Sequence, residues 1–293
     1  MLALAKAYPN LVSITTRDYK TSGYDGKVQE LKGPAALRYM KFGKKGQDKS
    51  DNPGVLLIAS PHAREVMQPM IMLEVSQQLL ANYGPHSDDP AVQDITSLMD
   101  YTDIYIVPVS NPDGLNFALY DDPMWRKTRC QISGSEHYGV DCNRNYDYHW
   151  EQKDPAENTY GGPYPFSEPE TRNIASIVEE HANIKFVCDF HSRGNQIRRP
   201  AGIEDKDDLE YFKSIQDRMQ AAIKASRGQE YDKIDSKVVN GASDDYFYFK
   251  KGIFAFVIEN GTQYKPMLPE ALEIVKECSE GAKELLRVAK EYG

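Results

Sequence analysis

No apolar run in this chain of 293 residues approaches the roughly 18 residues that a membrane-spanning helix requires, so insertion into a bilayer is not expected. Positive charge is also scarce. The 35 lysines and arginines stand against 44 acidic residues, which gives a net charge of −9 and a pI near 5.3. Such a chain repels polyanions, so neither nucleic acid nor an anionic membrane surface is expected as a partner.

Cysteine is the next scarce residue, with four in the chain and no Cys-x-x-Cys pair. A zinc site built from thiolates is therefore not expected. Cys188 lies in an apolar run and is predicted to be a buried thiol, and Cys278 falls on a predicted C-terminal helix. Cys130 and Cys142 flank a loop and could form a disulfide. The sequence leaves this point open because it does not fix their Cα separation.

The chain contains no internal repeat, low-complexity tract or inter-domain linker, and with 40% apolar residues it can bury a sizeable core. Apolar runs alternate with segments of helical periodicity, which predicts one α/β domain over residues 1–293. Ser167 is predicted to cap a helix, and 115–168 to be irregular and functional. Buried strands are predicted at 55–58, 103–109, 184–190 and 253–258, edge strands at 11–15 and 36–40, and helices at 65–80, 207–227 and 268–292.

Polar side chains follow the predicted buried strands at the point where each strand ends. In chain order they are His62 with Glu65, then Asn111, His191 and Glu259. The carboxyl ends of parallel strands meet at one edge of a sheet, and α/β folds bind their ligands at that edge. We therefore expect these side chains to converge.

His62 and Glu65 are three residues apart at the change from strand to helix, a spacing that lets an imidazole and a carboxylate share one metal ion. Alone, the pair is more typical of a surface histidine and a first-turn glutamate. His191 would complete a site of two imidazoles and one carboxylate, the donor set of a catalytic zinc ion. Glu259 could then act as an unligated proton acceptor. A hydrogen-bonded strand-end histidine and an ordinary strand-end acid remain alternative interpretations.

Seven motifs occur in order between about residues 50 and 262. They are His62-Ala-Arg-Glu65, Asn111-Pro-Asp-Gly114, Trp125-Arg-Lys-Thr-Arg129, Gly139-Val-Asp-Cys-Asn-Arg-Asn145, Ser167-Glu-Pro-Glu-Thr171, Asp189-Phe-His191-Ser and Phe256-Val-Ile-Glu259. In content and order the chain resembles the zinc carboxypeptidases of the carboxypeptidase A/B (M14) family. The resemblance implies an α/β fold with a mixed, mostly parallel eight-stranded sheet and helices on both faces.

The resemblance also implies a role for several residues of these motifs. His62, Glu65 and His191 would hold one zinc ion. Glu259 would be the general base. Arg126 would stabilise the oxyanion of the tetrahedral intermediate, where a fixed cation in a dry site acts most strongly.

Further roles concern the substrate and the support of the metal site. Asn143 and Arg144 would bind the terminal carboxylate of a peptide, Arg144 as a bidentate fork. Arg64 would line the next subsite inward. Asp141 would accept the Nδ1 proton of His62 and so orient that ligand.

Two positions bear on which terminal residue is removed. Asp244 matches the position that carries an acid in family members specific for basic residues, so an amine-bearing terminal side chain is favoured. A hydrated loop aspartate is the alternative. The family places a mobile tyrosine nine residues before the aromatic that is Tyr246 here, and that count falls on Lys237. Either an insertion shifts the alignment or Lys237 replaces the tyrosine as a substrate-facing donor.

Three arginines follow the third strand, namely Arg193, Arg198 and Arg199. Arginines near a zinc site in an acidic protein indicate further carboxylates on the substrate. Bacterial relatives cut peptidoglycan stem peptides, whose diaminopimelate and γ-linked glutamate carry such groups. The alternative is that these arginines lie on a solvated turn.

The sequence thus predicts a zinc metallocarboxypeptidase that removes a C-terminal, amine-bearing residue from peptides. Activity as an L,D- or γ-D-glutamyl-diaminopimelate peptidase on peptidoglycan peptides is the alternative within the family. The rival of another class is an inactive binding module of the same fold, which would lack a metal ligand or the base. We expect a monomer. We also favour an extracellular or cell-envelope location over the cytoplasm, although no signal peptide is visible in this chain.

Overall fold

The computed structural model describes residues 1–43, 51–237 and 240–292. Its strands are β1 (Val12–Lys20), β2 (Ala36–Phe42), β3 (Gly54–Ala59), β4 (Asp103–Val107), β5 (Ile184–His191), β6 (Gln196–Arg199), β7 (Asp232–Asp235) and β8 (Phe254–Glu259). They form one eight-stranded sheet in the order β1-β2-β4-β3-β5-β8-β6-β7. The centre, β4-β3-β5-β8, is parallel, and β6-β7 is parallel at one edge. The pairs β1-β2, β2-β4 and β6-β8 are antiparallel.

The helices are α1 (Leu2–Ala7), α2 (Gln68–Ala81), α3 (Pro90–Tyr101), α4 (Pro112–Tyr120), α5 (Pro169–Glu180), α6 (Lys206–Arg227), α7 (Ser243–Lys251) and α8 (Leu268–Glu291). Short 3₁₀ turns occur at Gln29–Leu31 and Cys142–Arg144. No described helix is both long and apolar enough to cross a membrane.

The central strands are buried on both faces, which explains why they are continuous apolar runs rather than alternating ones. Successive side chains point to opposite faces. Leu57 and Phe256 enter the core under α2, α3, α6 and α8, whereas Leu56 and Ala255 enter the core under α5 and α7. The predicted mixed sheet with helices on both faces is therefore confirmed.

Several local predictions are wrong in detail. The segment predicted to be irregular from residue 115 begins within α4, because Asn111 caps that helix and accepts a hydrogen bond of 2.9 Å from the amide of Gly114. Ser167 is not the cap of α5. Glu168 occupies the cap position without a side-chain capping bond, and the Ser167 hydroxyl donates to the Glu168 carboxylate instead. The second helix begins at Gln68, so Glu65 lies in the turn before it.

Six elements have no counterpart among the predicted segments, namely α1, α3, α4, α7, β6 and β7. The alternative interpretation of Asp244 as a loop residue is wrong, because Asp244 lies in the first turn of α7. Of the two predicted edge strands, β1 lies at the edge of the sheet, whereas β2 lies between β1 and β4.

The topology brings three strand ends together. Strands β3, β5 and β8 are adjacent and parallel, so the residues that follow or end them lie at the same edge of the sheet. The register pairs His191 directly with Glu259, and His62 follows the neighbouring β3. The expected convergence of His62, His191 and Glu259 is therefore a direct result of strand order. Asn111, which follows β4, caps α4 instead.

Candidate active site

His62, Glu65 and His191 form a buried cluster at this edge of the sheet. One ligand atom from each lies within 4.8 Å of the other two. Nδ1 of His62 is 2.9 Å from Oε1 of Glu65 and 3.1 Å from Nδ1 of His191, and the latter nitrogen is 3.4 Å from Oε2 of Glu65. Two imidazole nitrogens and a carboxylate thus face one point, which is the donor set and open arrangement that suit a single zinc ion.

Each histidine uses its other nitrogen on a second carboxylate. Nε2 of His62 lies 2.9 Å from Oδ1 of Asp141, and Nε2 of His191 lies 3.2 Å from Oδ2 of Asp189. Asp141 thus orients His62 through Nε2 and not through Nδ1 as predicted, because Nδ1 is the nitrogen turned toward Glu65. These outer bonds fix the rings with Nδ1 free for a metal ion. Sequence reasoning assigned Asp189 no role, although an acid inside an apolar strand was a usable signal.

Arg126 is the cation that contacts both Asp141 and Glu65. Its Nε and Nη2 donate hydrogen bonds of 3.0 and 2.9 Å to Oδ2 of Asp141, and its Nη1 lies 3.8 Å from Oε1 of Glu65. Burial opposes the charge on each group. Even so, Arg126 and His62 hold the pKa of Asp141 well below its usual range, and the two carboxylates raise the pKa of Arg126.

The pKa values of Glu65 and Glu259 are shifted in opposite directions. Burial favours the neutral form of Glu65, but His62 and His191 hold its pKa below the ordinary value. Burial raises the pKa of Glu259, whose side chain is 16% exposed. One carboxylate is thus kept ionised beside the histidines, while the other is suited to exchange a proton.

A cavity of about 170 Å³ opens in front of the cluster. Most of the predicted site residues line it, namely His62, Glu65, Arg126, Asn143, Arg144, His191, Arg193, Asp244 and Glu259. Asp141 lies behind the wall, fully buried.

Asn143 and Arg144 reach the cavity from the short turn at Cys142–Arg144. Oδ1 of Asn143 accepts a 2.7 Å hydrogen bond from the amide of Ser243, which leaves the amide nitrogen turned toward His191 at 3.4 Å. Arg144 donates to the carbonyl of Asn143, and no carboxylate in the described parts of the chain forms a salt bridge with it. Burial lowers its pKa. Arg144 is thus a half-buried cation that can accept an anionic ligand.

Arg64 and Arg193 both contact Tyr264. The guanidinium carbons are 4.5 Å and 5.3 Å from the centroid of the Tyr264 ring, and Nη2 of Arg64 also donates to its hydroxyl at 3.3 Å. Arg193 and Tyr264 are part of the cavity wall. Sequence reasoning missed Tyr264, since a single tyrosine in a loop carries no specific signal.

Asp244 is buried in the first turn of α7 and lines the cavity, so it is not a hydrated loop residue. Its Oδ2 accepts a 2.7 Å hydrogen bond from the hydroxyl of Ser236. Burial raises its pKa. Lys237 is exposed and is not among the described residues that form the cavity wall, so its role stays a prediction.

Only two of the three predicted arginines line the cavity. Arg193 and Arg198 line the cavity, whereas Arg199 turns to the opposite face of β6 and donates to Gln216 of α6 at 2.7 Å. Alternation along a strand separates the two neighbours.

The four cysteines are free thiols. Cys188 and Cys278 are buried as predicted. Cys130 and Cys142, left open as a disulfide pair, are not bonded, and Cys130 instead lies 3.4 Å from the hydroxyl of Thr128.

Comparison with known proteins agrees with this geometry. The family model described as zinc carboxypeptidase (peptidase M14) matches residues 1–284. Carboxypeptidase B of Astacus astacus is 30% identical over 308 residues, covering 99% of this chain and 93% of that protein. Carboxypeptidase A2 of Rattus norvegicus is 31% identical over 270 residues, covering 87% of this chain but only 62% of the rat protein.

Solved structures share the fold. Bovine thrombin-activatable fibrinolysis inhibitor, in complex with tick carboxypeptidase inhibitor, superposes with a TM-score of 0.83 at 22% identity and covers 100% of this chain and 95% of that one. Carboxypeptidase A of Helicoverpa armigera gives a TM-score of 0.81 at 24% identity, covering 99% and 71%. Together with the sequence matches and the His-Glu-His cluster, this places the chain in the zinc carboxypeptidase family, peptidase M14.

Proposed function

We propose that this protein hydrolyses the C-terminal peptide bond of peptides and favours a terminal residue with an amine-bearing side chain. The observation that carries the proposal is that the His62, Glu65 and His191 cluster opens into the same cavity as Arg144. A metal-ligand set and an unpaired cation in one cavity suit a substrate that presents a peptide bond and a terminal carboxylate together.

His62, Glu65 and His191 would hold the zinc ion. When bound, zinc acts as a Lewis acid that polarises a carbonyl and makes water more acidic. Asp141 and Asp189 hold the two imidazoles in the orientation that this requires.

Glu259 is the proposed general base. It takes a proton from the attacking water and delivers it to the nitrogen of the leaving amine as the peptide bond breaks. Because its pKa is raised, the Glu259 carboxyl group is better suited both to accept the proton of the water and to donate it to the leaving amine. Arg126, anchored by Asp141, stabilises the negative charge that develops on the carbonyl oxygen.

Arg144 and Asn143 bind the terminal carboxylate, which makes the enzyme an exopeptidase. A chain that continues past the cut carries no charge at that place and leaves the half-buried Arg144 without a partner. Arg64 and Arg193, which both contact Tyr264, would bind residues further inward along the peptide.

Asp244 supports the preference for an amine-bearing terminal residue, because it is a buried acid on the wall of the same cavity. Lys237 follows the Ser236 that binds Asp244, and we keep it as a candidate substrate contact. Activity on peptidoglycan stem peptides remains the second candidate. Two further cations on the cavity wall, Arg193 and Arg198, favour a substrate with additional carboxylates.

The proposal is tested by incubating the zinc-loaded protein with peptides that differ only in a terminal Lys, Arg, Phe or diaminopimelate residue. Release of Lys, Arg or diaminopimelate should be preferred, and preferential release of Phe would contradict the role of Asp244. Glu259→Gln should lower kcat by about 10²- to 10⁴-fold while zinc content stays at one ion per chain. Unchanged turnover of Glu259→Gln would show that Glu259 is not the general base and would contradict the proposed mechanism.

A further inference from the structure

Glu259, the proposed general base, has few contacts that hold its carboxylate. In the described parts of the chain no group donates a hydrogen bond to it, and the one basic side chain within ion-pair distance is Arg198. Nη2 of Arg198 is 3.7 Å from Oε1 of Glu259, so the two charges attract each other without sharing a hydrogen bond. The side chains are 30% and 16% exposed, and such a partly buried pair is screened less by solvent than an open one. Arg198 is thus the side chain that acts most directly on this carboxylate.

The strand register explains why Arg198 reaches Glu259. Strands β6 and β8 are antiparallel, with Gln196 opposite Glu259 and Arg198 opposite Val257. Residues opposite each other, or two apart on one strand, share a face of the sheet. Arg198 and Glu259 are therefore diagonal neighbours on one face, a separation that a long side chain can span. The next residue, Arg199, lies on the other face and contacts α6.

Gln196 fixes the direction of the guanidinium. Its Oε1 accepts hydrogen bonds of 3.2 and 2.8 Å from Nε and Nη2 of Arg198. Two bonds to one edge of a planar guanidinium set its plane, and the same Nη2 is the atom that approaches Glu259. Gln196 is neutral, and Glu259 is the one acid in the described parts of the chain that forms an ion pair with Arg198. The positive charge that Glu259 faces is therefore held in place without being neutralised.

We propose that Arg198 is a positioning residue for the general base, and that its guanidinium, oriented by Gln196, holds the Glu259 carboxylate where it can reach the attacking water. The inference rests on the proposed carboxypeptidase function. A base acts when its oxygen lies within hydrogen-bond reach of the proton that it removes, and a displacement of about 1 Å can cost about 10²-fold in rate. Loss of Arg198 frees Glu259 to rotate but does not remove it, so we expect a smaller loss of about 10-fold in kcat.

The test compares the zinc-loaded wild type with Arg198→Gln on three peptides that differ only in a terminal Lys, Phe or Glu residue. Positioning of the base involves no side chain of the substrate, so kcat/KM should fall by the same factor, about 10-fold, on all three. On the Lys peptide the loss should lie in kcat and not in KM. If Arg198 bound a substrate carboxylate, as in the second candidate function, the loss would instead lie in KM for the Glu peptide alone. Arg198→Lys keeps the charge and should recover part of kcat.

Two double variants trace the effect to Glu259. In the Glu259→Gln background, Arg198→Gln should cost no further activity, because the carboxylate that Arg198 positions is absent. Gln196→Leu should lower kcat less than Arg198→Gln does, and it should have no further effect in the Arg198→Gln background, because Gln196 acts through Arg198.

Arg199→Gln is the matched control on the same strand. It removes a guanidinium that donates to Gln216 at 2.7 Å on the opposite face, so it should leave kcat unchanged even where it lowers the stability to urea. Zinc competition against a chelator should give the same affinity for Arg198→Gln as for the wild type, because the contacts of Arg198 are with Gln196 and Glu259.

The opposite results are equally specific. A kcat of Arg198→Gln equal to that of the wild type, or a loss confined to KM of the Glu peptide, would overturn the inference and leave the proposed function intact. A further loss from Arg198→Gln in the Glu259→Gln background would also overturn it, because Arg198 would then act on a group other than the base. A wild type that releases no terminal residue from any of the three peptides would overturn the proposed function itself, and the inference with it.

Discussion

Asp141 connects the metal-ligand histidine His62 to Arg126, the residue proposed to stabilise the oxyanion, because its two oxygens have different partners. Oδ1 faces Nε2 of His62 at 2.9 Å, and Oδ2 accepts two hydrogen bonds of 3.0 and 2.9 Å from Arg126. The residue has no exposed surface, so water cannot replace it. Asp141→Asn keeps the shape of the side chain and removes the charge that both partners face.

Two magnitudes follow from this geometry. Loss of a carboxylate that orients a histidine ligand weakens metal binding by about 10- to 100-fold. Removing one partner of a buried ion pair costs about 3–5 kcal/mol of unfolding free energy. Arg126 is 13% exposed and keeps Glu65 at 3.8 Å, so we expect the lower end, about 3 kcal/mol.

Asp189→Asn is the matched control. Asp189 orients His191 at 3.2 Å and accepts a hydrogen bond from Ser243, but no arginine of the described chain is paired with it. Both variants should therefore bind zinc more weakly. At saturating zinc only Asp141→Asn should lower kcat, by about 10-fold, because Arg126 loses its anchor but is not removed.

The measurements are zinc competition against a chelator, urea unfolding of the zinc-loaded protein, and kcat at saturating zinc. Equal kcat values for the two variants at saturating zinc would refute the role of Asp141 in positioning Arg126. A zinc affinity for Asp141→Asn equal to that of the wild type would refute its role behind His62.

Two further predictions concern binding and pH. Arg144→Gln should raise KM about 10- to 100-fold for peptides with a free terminal carboxylate and change kcat little, since Arg144 would contact a group whose charge and bonds do not change in the reaction; a loss mainly in kcat would contradict this. Burial, together with Glu168, raises the pKa of Glu170, whose Oε2 has no hydrogen-bond partner. A carboxyl whose pKa is raised on folding costs no stability below its unfolded value of about 4.5, and costs progressively more as the pH rises through the folded value. Glu170→Gln should therefore unfold at a higher temperature than the wild type at pH 7, and the difference should vanish below about pH 4; a less stable variant at pH 7 would show that the carboxylate is favourably bound.

The main site residues carry local signals in the sequence, whereas their neighbours in space do not. His62, Glu65, His191 and Glu259 were identifiable because each follows or ends an apolar run that is a strand, and because their residue types match a known donor set. In the same way, Asn111 was recognised as following a strand, although its capping of α4 was read as a turn. Asn followed by Pro and Gly fits both structures, and only the surrounding packing selects one.

What the sequence by itself determined is the chemistry of the site and the fact that its main residues follow or end strands, because apolar runs and motif residues are local properties of the chain. The tertiary structure alone decided which nitrogen of His62 faces Asp141, and that Asp244 is buried on a helix. It also decided that Arg198 lines the cavity while Arg199 does not. These facts depend on side-chain direction and on which element packs opposite, and neighbouring residues in the sequence do not encode either quantity.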